Sequence, residues 1–114
     1  MAKEANVQRI VEQYVHRLAR NIIVHKAILT GSRATGTYLE DSDVDLIIVS
    51  DDFSKMSLTE RLQYLQKQWR SKSIPLEAFG YTIGEFRRLR HRSTYVRDAI
   101  SDGLVLVDGE AETR

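Results

Sequence analysis

The stretch from Val44 to Val49, "VDLIIV", constrains the fold more than any other part of this chain. Every residue after Asp45 in this stretch is apolar, so a strand here would have to be covered on both faces. Strands of this kind lie inside sheets that carry helices on both sides. The sequence therefore predicts a layered α/β domain with this strand in a central position.

The rest of the chain supplies partners for that strand. Apolar residues recur at helical spacing from Val7 to Leu18, which predicts an amphipathic helix. Short apolar runs predict further strands at Ala27–Thr30 and Leu76–Tyr81, and "LVLVD" at 104–108 predicts a final edge strand. The order of these elements again indicates an α/β domain.

Two capping boxes mark the expected starts of later helices. Ser57 with Glu60, and Thr82 with Glu85, have the spacing at which each side chain bonds the other's backbone amide. A last helix in "STYVRDAISDG" is expected to end at Gly103. The helix that follows the first box is predicted to bury a single apolar stripe, formed by Leu58, Leu62, Leu65 and Trp69.

Length and composition narrow the functional classes. The 114 residues predict one domain, 1–114, with a flexible tail at about 109–114. The net charge of +1 argues against broad binding of polyanions, and the lack of cysteine excludes thiol chemistry and disulfides. No apolar leader or membrane span is evident, so a cytoplasmic location away from membranes is expected.

Two common ligand-binding motifs almost fit the chain, and both fail. Gly31 and Gly36 have the glycine spacing of a P-loop, but Thr37 stands where that motif needs lysine. Residues 41–45, "DSDVD", imitate the start of a calcium-binding EF-hand loop. Leu46 replaces the glycine that such a loop needs, and an apolar strand follows.

A different combination survives, and it suits a phosphate beside a cation. Asp43 and Asp45 occupy alternate positions at the start of a strand, so their side chains project from the same face. Their Cα atoms would then be about 6.5–7 Å apart. Paired carboxylates at that separation suit magnesium with substrate phosphates. Gly31 allows close approach of a ligand, Ser32 offers a hydroxyl, and backbone amides near Arg33 would complete an anion site.

Other charged residues leave two interpretations open. Glu77 lies in an otherwise apolar strand, so it either joins the acids at the site or reaches solvent from an edge strand. Arg33 either binds phosphate or pairs with Glu40 or Asp41 in the loop. The basic run at 87–92 is either a solvated helix face or a contact for phosphate, RNA or an acidic partner, so direct nucleic-acid binding stays open.

Together these motifs resemble a known superfamily. Gly31-Ser32, then "DVDL" at 43–46, then a single acid at Glu77 is similar to the nucleotidyltransferases related to DNA polymerase beta. The longer stretch "GSRATGTYLEDSDVDL" resembles the minimal nucleotidyltransferases that are often paired with HEPN-domain proteins. The resemblance implies a single minimal domain with a mixed β-sheet flanked by helices.

The resemblance also implies a reaction and its site. Two Mg²⁺ ions would assist transfer of a nucleoside monophosphate, AMP from ATP, to a hydroxyl. Gly31 and Ser32 would hold the β- and γ-phosphates, with Arg33 beside them. Asp43, Asp45 and Glu77 would be the catalytic carboxylates that bind the metal ions. Glu77 would also act as the general base.

The acceptor is less narrowly implied. The resemblance points to a tyrosine of a HEPN-type toxin, with this chain as the antitoxin and a hetero- or homo-oligomer as the working assembly. A non-catalytic module that binds nucleotide and neutralises its partner by occlusion is the main alternative. Transfer to a small molecule such as an aminoglycoside is a further one.

Overall fold

The computed structural model describes residues 2–31, 33 and 43–109. Among these residues, the helices with complete bounds are α1 (Ala2–Asn21), α2 (Leu58–Gln68), α3 (Ile83–Arg92) and α4 (Thr94–Asp102). The strands in the same part of the chain are β1 (Lys26–Thr30), β2 (Val44–Val49), β3 (Leu76–Tyr81) and β4 (Leu104–Asp108). A short 3-10 helix, Asp51–Lys55, follows β2. Of the tail predicted to be flexible, all but Gly109 lies outside the described residues.

The four strands form one mixed sheet in the order β3-β2-β1-β4. Strand β1 pairs antiparallel with β2 and β4, whereas β2 and β3 run parallel. The parallel pair needs a crossover connection, and the segment containing α2 supplies it. The predictions of a mixed sheet flanked by helices, of an interior position for β2 and of an edge strand at 104–108 are confirmed.

Alternate residues of the sheet enter two separate cores. One face packs against α1 and α2, and its sheet residues are Ala27, Leu29, Val44, Leu46, Ile48, Leu76 and Ala78. The other face packs against α3 and α4, and its sheet residues are Ile28, Ile47 and Val49. Both faces of β2 are thus covered by helices, as its apolar sequence predicts. In the part of the chain that the structure describes, no helix could span a membrane.

Both predicted capping boxes are present. The Ser57 hydroxyl accepts from the Glu60 amide at 3.1 Å, and the Glu60 carboxylate accepts from the Ser57 amide at 2.7 Å. Thr82 and Glu85 make the same pair of bonds at 3.2 and 2.8 Å. These bonds satisfy amide donors that the first turn of a helix leaves without partners.

The predicted apolar stripe of α2 is wrong at two of its positions. Leu58 is 63% exposed and Leu62 is 39% exposed, while Leu65 is buried and Trp69 packs edge-on against Tyr14 at 5.1 Å. Hydrophobicity alone does not decide the orientation of this helix, because a charged residue is buried on it instead.

That charged residue is Arg61. Its guanidinium donates to the carbonyl oxygens of Phe53, Met56 and Gly80, each at 3.1 Å. It also bonds both carboxylate oxygens of Glu85, at 2.6 and 3.2 Å. The full set of acceptors offsets the cost of burying the cation, so Arg61 takes a buried position on α2, while Leu58 and Leu62 stay at the surface.

Candidate active site

Two acids from distant parts of the chain lie side by side at one end of the sheet. Asp45 of β2 is the register partner of Glu77 in the parallel strand β3. Asp45 also pairs across the antiparallel ladder with Thr30, the last residue of β1. By strand alternation these residues project on the face that α3 and α4 cover. The chain therefore brings its acids to the place where β1 ends and β2 and β3 begin.

The electrostatics of this corner favour a cation. Burial is the main cause that raises the pKa of Asp45, and the negative charges of Glu77 and Asp43 raise it further. A side-chain hydrogen bond with Glu77 acts in the same direction. A carboxyl group whose pKa is raised in this way would ionise more readily next to a positive ion. Asp43 is exposed and lies immediately before β2, close enough to influence the same site.

Glu77 fits both interpretations that the sequence left open, because it reaches solvent from an edge strand and also lies beside another acid. It is exposed, and β3 is an edge strand of the sheet, so burial imposes no penalty on its charge. The structure nevertheless places it beside Asp45, as the site interpretation requires. Its position beside Asp45 comes from strand register, and its side chain reaches solvent.

Gly31 forms the third side of the corner. Its φ of +71° lies in the left-handed region that side chains other than hydrogen disfavour. A Cβ at this position would lie 2.5 Å from the Oδ2 atom of Asp45. Glycine at this position therefore allows the chain to turn directly after β1 while its backbone lies against the Asp45 carboxylate. A ligand placed here could approach the backbone equally closely.

Of the other two predicted phosphate ligands, the structure describes only Arg33. Ser32 lies outside the described residues, as do Glu40 and Asp41. Arg33 is buried and lines a small cleft with residues of α1, β1 and β4, among them Val11 and Leu29. Leu29 belongs to the face opposite Asp45. A phosphate contact by Arg33 remains a prediction. The cleft that Arg33 lines is largely apolar.

Sequence reasoning missed two residues at the site. The Thr30 hydroxyl donates to the carbonyl oxygen of Asp45 at 3.4 Å and lies 3.2 Å from the hydroxyl of Tyr95. Burial is the main cause that raises the pKa of Tyr95, and the charges of Asp45 and Glu77 raise it further. Only the position of Thr30 at the strand end was a usable signal, because nothing in the sequence places α4 over that end.

The basic run at 87–92 lies on α3, and its arginines are exposed while Leu89 packs inward. Arg88 and Arg92 line an open groove with Leu58 and Tyr81. Tyr81 ends β3, whereas Glu77 lies near its start, so this groove faces the end of the sheet away from the acids. The run does not contribute to the acidic corner through that groove.

The acidic corner fits a magnesium ion chemically. Magnesium prefers oxygen ligands and usually takes one or two carboxylates, completing its shell with water and substrate phosphates. Asp45 and Glu77 provide such a pair, with Asp43 nearby. Across residues 2–31, 33 and 43–109, no three His, Cys, Asp or Glu side chains form a ready-made metal cluster.

Comparisons with known proteins identify the family and the fold of this chain. The model of the nucleotidyltransferase domain family matches residues 9–107, a range that begins within α1 and ends within β4. A search of curated proteins found no match. Among solved structures, a candidate nucleotidyltransferase from Sulfolobus solfataricus superposes with a TM-score of 0.68 at 19% identity, covering 96% of this chain and 86% of that one. That likeness establishes the shared fold. Since the family model covers most of the chain, this protein belongs to the nucleotidyltransferase domain family.

Proposed function

We propose that this protein is a Mg²⁺-dependent nucleotidyltransferase that transfers AMP from ATP to a hydroxyl group. The acceptor in this proposal is a tyrosine of a HEPN-type toxin in the cytoplasm, and the protein acts as the antitoxin. Membership of the family supports nucleotidyl transfer in general. The metal, the nucleotide and the acceptor are the parts that experiment has to test.

One observation carries the proposal: Asp45 and Glu77 are register partners beside the glycine turn at Gly31. A strand that only stabilised the fold would gain nothing from adjacent like charges, which repel each other. The arrangement becomes favourable when a cation and phosphate oxygens lie against the acids. The corner thus suits a nucleoside triphosphate carried with magnesium.

The reaction follows from the positions of these groups. Bound magnesium would neutralise charge on the attacking and leaving oxygens. Asp45 and Asp43 would hold the metal, and the turn at Gly31 would admit the triphosphate close to the backbone. Glu77 is exposed and can reach an incoming hydroxyl, from which it would take the proton. The acceptor oxygen then bonds to the α-phosphorus while the bond to the β-phosphate oxygen breaks and pyrophosphate leaves.

The identity of the acceptor rests on weaker support. The stretch "GSRATGTYLEDSDVDL" resembles minimal nucleotidyltransferases that accompany HEPN-domain proteins. Exposure of Glu77 on an edge strand leaves the acidic corner open to a hydroxyl presented by another protein. A tyrosine on a partner's surface fits such an opening.

Intact mass spectrometry provides the test. A HEPN-domain protein, sought first in the neighbouring reading frame, is incubated with this protein, ATP and Mg²⁺. We expect the partner to gain the mass of one AMP per transfer, and Asp43→Asn with Asp45→Asn to abolish the gain. Asp98→Asn with Asp102→Asn is the matched control, because it removes the same charge from exposed positions on α4.

Other outcomes would change the conclusion. An unmodified partner that still forms a stable complex, and is still silenced by the Asp43/Asp45 double variant, would favour a non-catalytic binding module. Undiminished transfer by that double variant would refute the proposed mechanism. Modification of an aminoglycoside in place of the protein would replace the acceptor and leave the catalytic site as proposed.

A further inference from the structure

Tyr95 is an exposed aromatic residue that the structure holds in one position beside the acids. Its side chain is 40% exposed, although it lies in the first turn of α4 against the sheet. Its hydroxyl is 3.2 Å from that of Thr30, which in turn bonds the backbone of Asp45. The ring is therefore fixed to the end of β1 while part of its surface faces solvent.

A second aromatic ring supports the first. Phe79 and Tyr95 pack edge to face, with ring centroids 5.8 Å apart and planes at 79°. Phe79 follows Glu77 by two residues on β3, so the two side chains share a face about 6.5–7 Å apart. Phe79 and Tyr95 thus lie on the same side of the sheet as the acids, with Phe79 two residues along β3 from Glu77.

We propose that Tyr95, supported by Phe79, is the positioning residue against which the nucleoside of the donor nucleotide packs. This inference rests on the proposed function, since it assumes that the triphosphate binds at the acidic corner. A nucleotide held there by its phosphates carries a planar base on a short ribose link. The Tyr95 ring is partly exposed and close enough to Asp45 and Glu77 to feel their charges, and stacking on aromatic rings accepts any base.

The surroundings of Tyr95 suit this role better than a purely structural one. An exposed aromatic ring leaves apolar surface in contact with water, which is unfavourable. The fold does not require the ring to hold α4 in place, because Val96 and Ala99 already pack this helix against the sheet. A neutral phenol adds no negative charge beside a triphosphate, and its bond to Thr30 fixes the ring before the ligand arrives. Such preorganisation reduces the ordering that binding would otherwise require.

The test compares two ligands on the same variants. Binding of ATP and of inorganic tripolyphosphate is measured by calorimetry in the presence of Mg²⁺, because tripolyphosphate lacks the nucleoside. For Tyr95→Ala and Tyr95→Leu we expect ATP affinity to fall about 5- to 100-fold, which is the usual range for one stacked base. Tripolyphosphate affinity should stay within about twofold of the wild type.

Two further variants separate stacking from other effects. Tyr95→Phe keeps the ring and loses the bond to Thr30, so its ATP affinity should remain within about threefold of the wild type. Ile100→Ala removes another exposed apolar side chain of α4 and should leave both affinities unchanged. Thermal unfolding of each variant confirms that the comparison is made on folded protein.

The outcomes are distinct. Equal losses for both ligands in Tyr95→Ala, or no loss for ATP, would overturn the role of Tyr95 and leave the phosphate site intact. Equal affinity of the wild type for ATP and tripolyphosphate would do the same. If the wild type bound neither ligand, the proposed function itself would fail, and this inference with it.

Discussion

The Oδ2 atom of Asp45 occupies the space into which a side chain at Gly31 would project, 2.5 Å from the position of its Cβ. The end of β1 and the start of β2 are thus fitted to each other at a carboxylate. The turn and the acid form one unit, and a change at either residue should affect the other.

Gly31→Ala should therefore reduce both stability and activity. A left-handed backbone at a residue with a Cβ costs about 1–2 kcal/mol, and the added methyl must also displace the Asp45 carboxylate. We expect the free energy of unfolding in urea to fall by at least that amount, and nucleotidyl transfer to be lost. Gly84→Ala on α3 is the control, because its Cβ would lie 3.6 Å from the Arg88 side chain at an ordinary φ. It should be neutral or stabilising by up to about 1 kcal/mol. Wild-type stability of Gly31→Ala would contradict the observed turn.

Asp45→Asn should stabilise the protein without ligand while removing its activity. The folded state raises the pKa of this carboxyl, so the folded chain binds the proton more tightly than the unfolded chain does. Stability should then fall as pH rises through the titration of Asp45 and remain reduced at neutral pH. Asparagine removes this loss, so the variant should be more stable than the wild type at pH 7 and show a smaller difference near pH 3. Urea unfolding across that pH range measures the effect, and a variant less stable than the wild type at pH 7 would refute it.

The two neighbouring acids should contribute unequally to the pKa of Asp45. Glu77 has a larger effect than Asp43, through both its charge and a hydrogen bond. Glu77→Gln should therefore lower the pKa of Asp45 more than Asp43→Asn does. Carboxyl carbon chemical shifts followed by NMR titration report each value directly. A larger effect from Asp43→Asn would mean that the register pairing of Glu77 with Asp45 is not the dominant contact.

Glu85→Gln should destabilise the fold through Arg61 and leave the cap in place. The hydrogen bond from Arg61 is the main cause that lowers the pKa of Glu85. This contribution is present above the carboxyl's ordinary pKa and is lost as pH falls through the lowered one. We expect a loss of about 1.5–3 kcal/mol at pH 7, because a charge-assisted bond to a buried cation is removed.

Glu60→Gln is the matched control for that change. Glu60 makes the same capping box with Ser57 at an exposed position on α2. Glutamine also serves in this motif, so the free energy of unfolding should change by less than about 0.5 kcal/mol. Urea unfolding of both variants at pH 7 provides the comparison. Equal losses would assign the effect to the helix cap and not to Arg61.

Much of the fold could be predicted because its signals are local. The capping boxes, the two-faced apolar strand β2 and the turn at Gly31 each depend on residues that are close in sequence. Strand alternation likewise predicts that Asp43 and Asp45 share a face, but in the structure Asp43 lies just before β2, which begins at Val44.

The failures share a different cause, which is dependence on distant residues. The orientation of α2 follows from Arg61, whose acceptors lie on the 3-10 helix, on β3 and on α3. Tyr95 reaches the site only because α4 packs over the end of β1. No spacing along the chain encodes these contacts, so hydrophobic pattern misassigned Leu58 and Leu62 and gave no reason to single out Tyr95.

The parallel pairing of β2 and β3 also sets when the acidic corner can exist during synthesis. A nascent chain that has emerged through β2 carries Asp45 and the turn at Gly31, but it lacks Glu77 until the crossover and β3 follow. The pair forms only when that long-range contact closes, which is the slower kind of step in folding. A ribosome-bound fragment that ends before β3 therefore has Asp45 and the turn at Gly31 without Glu77.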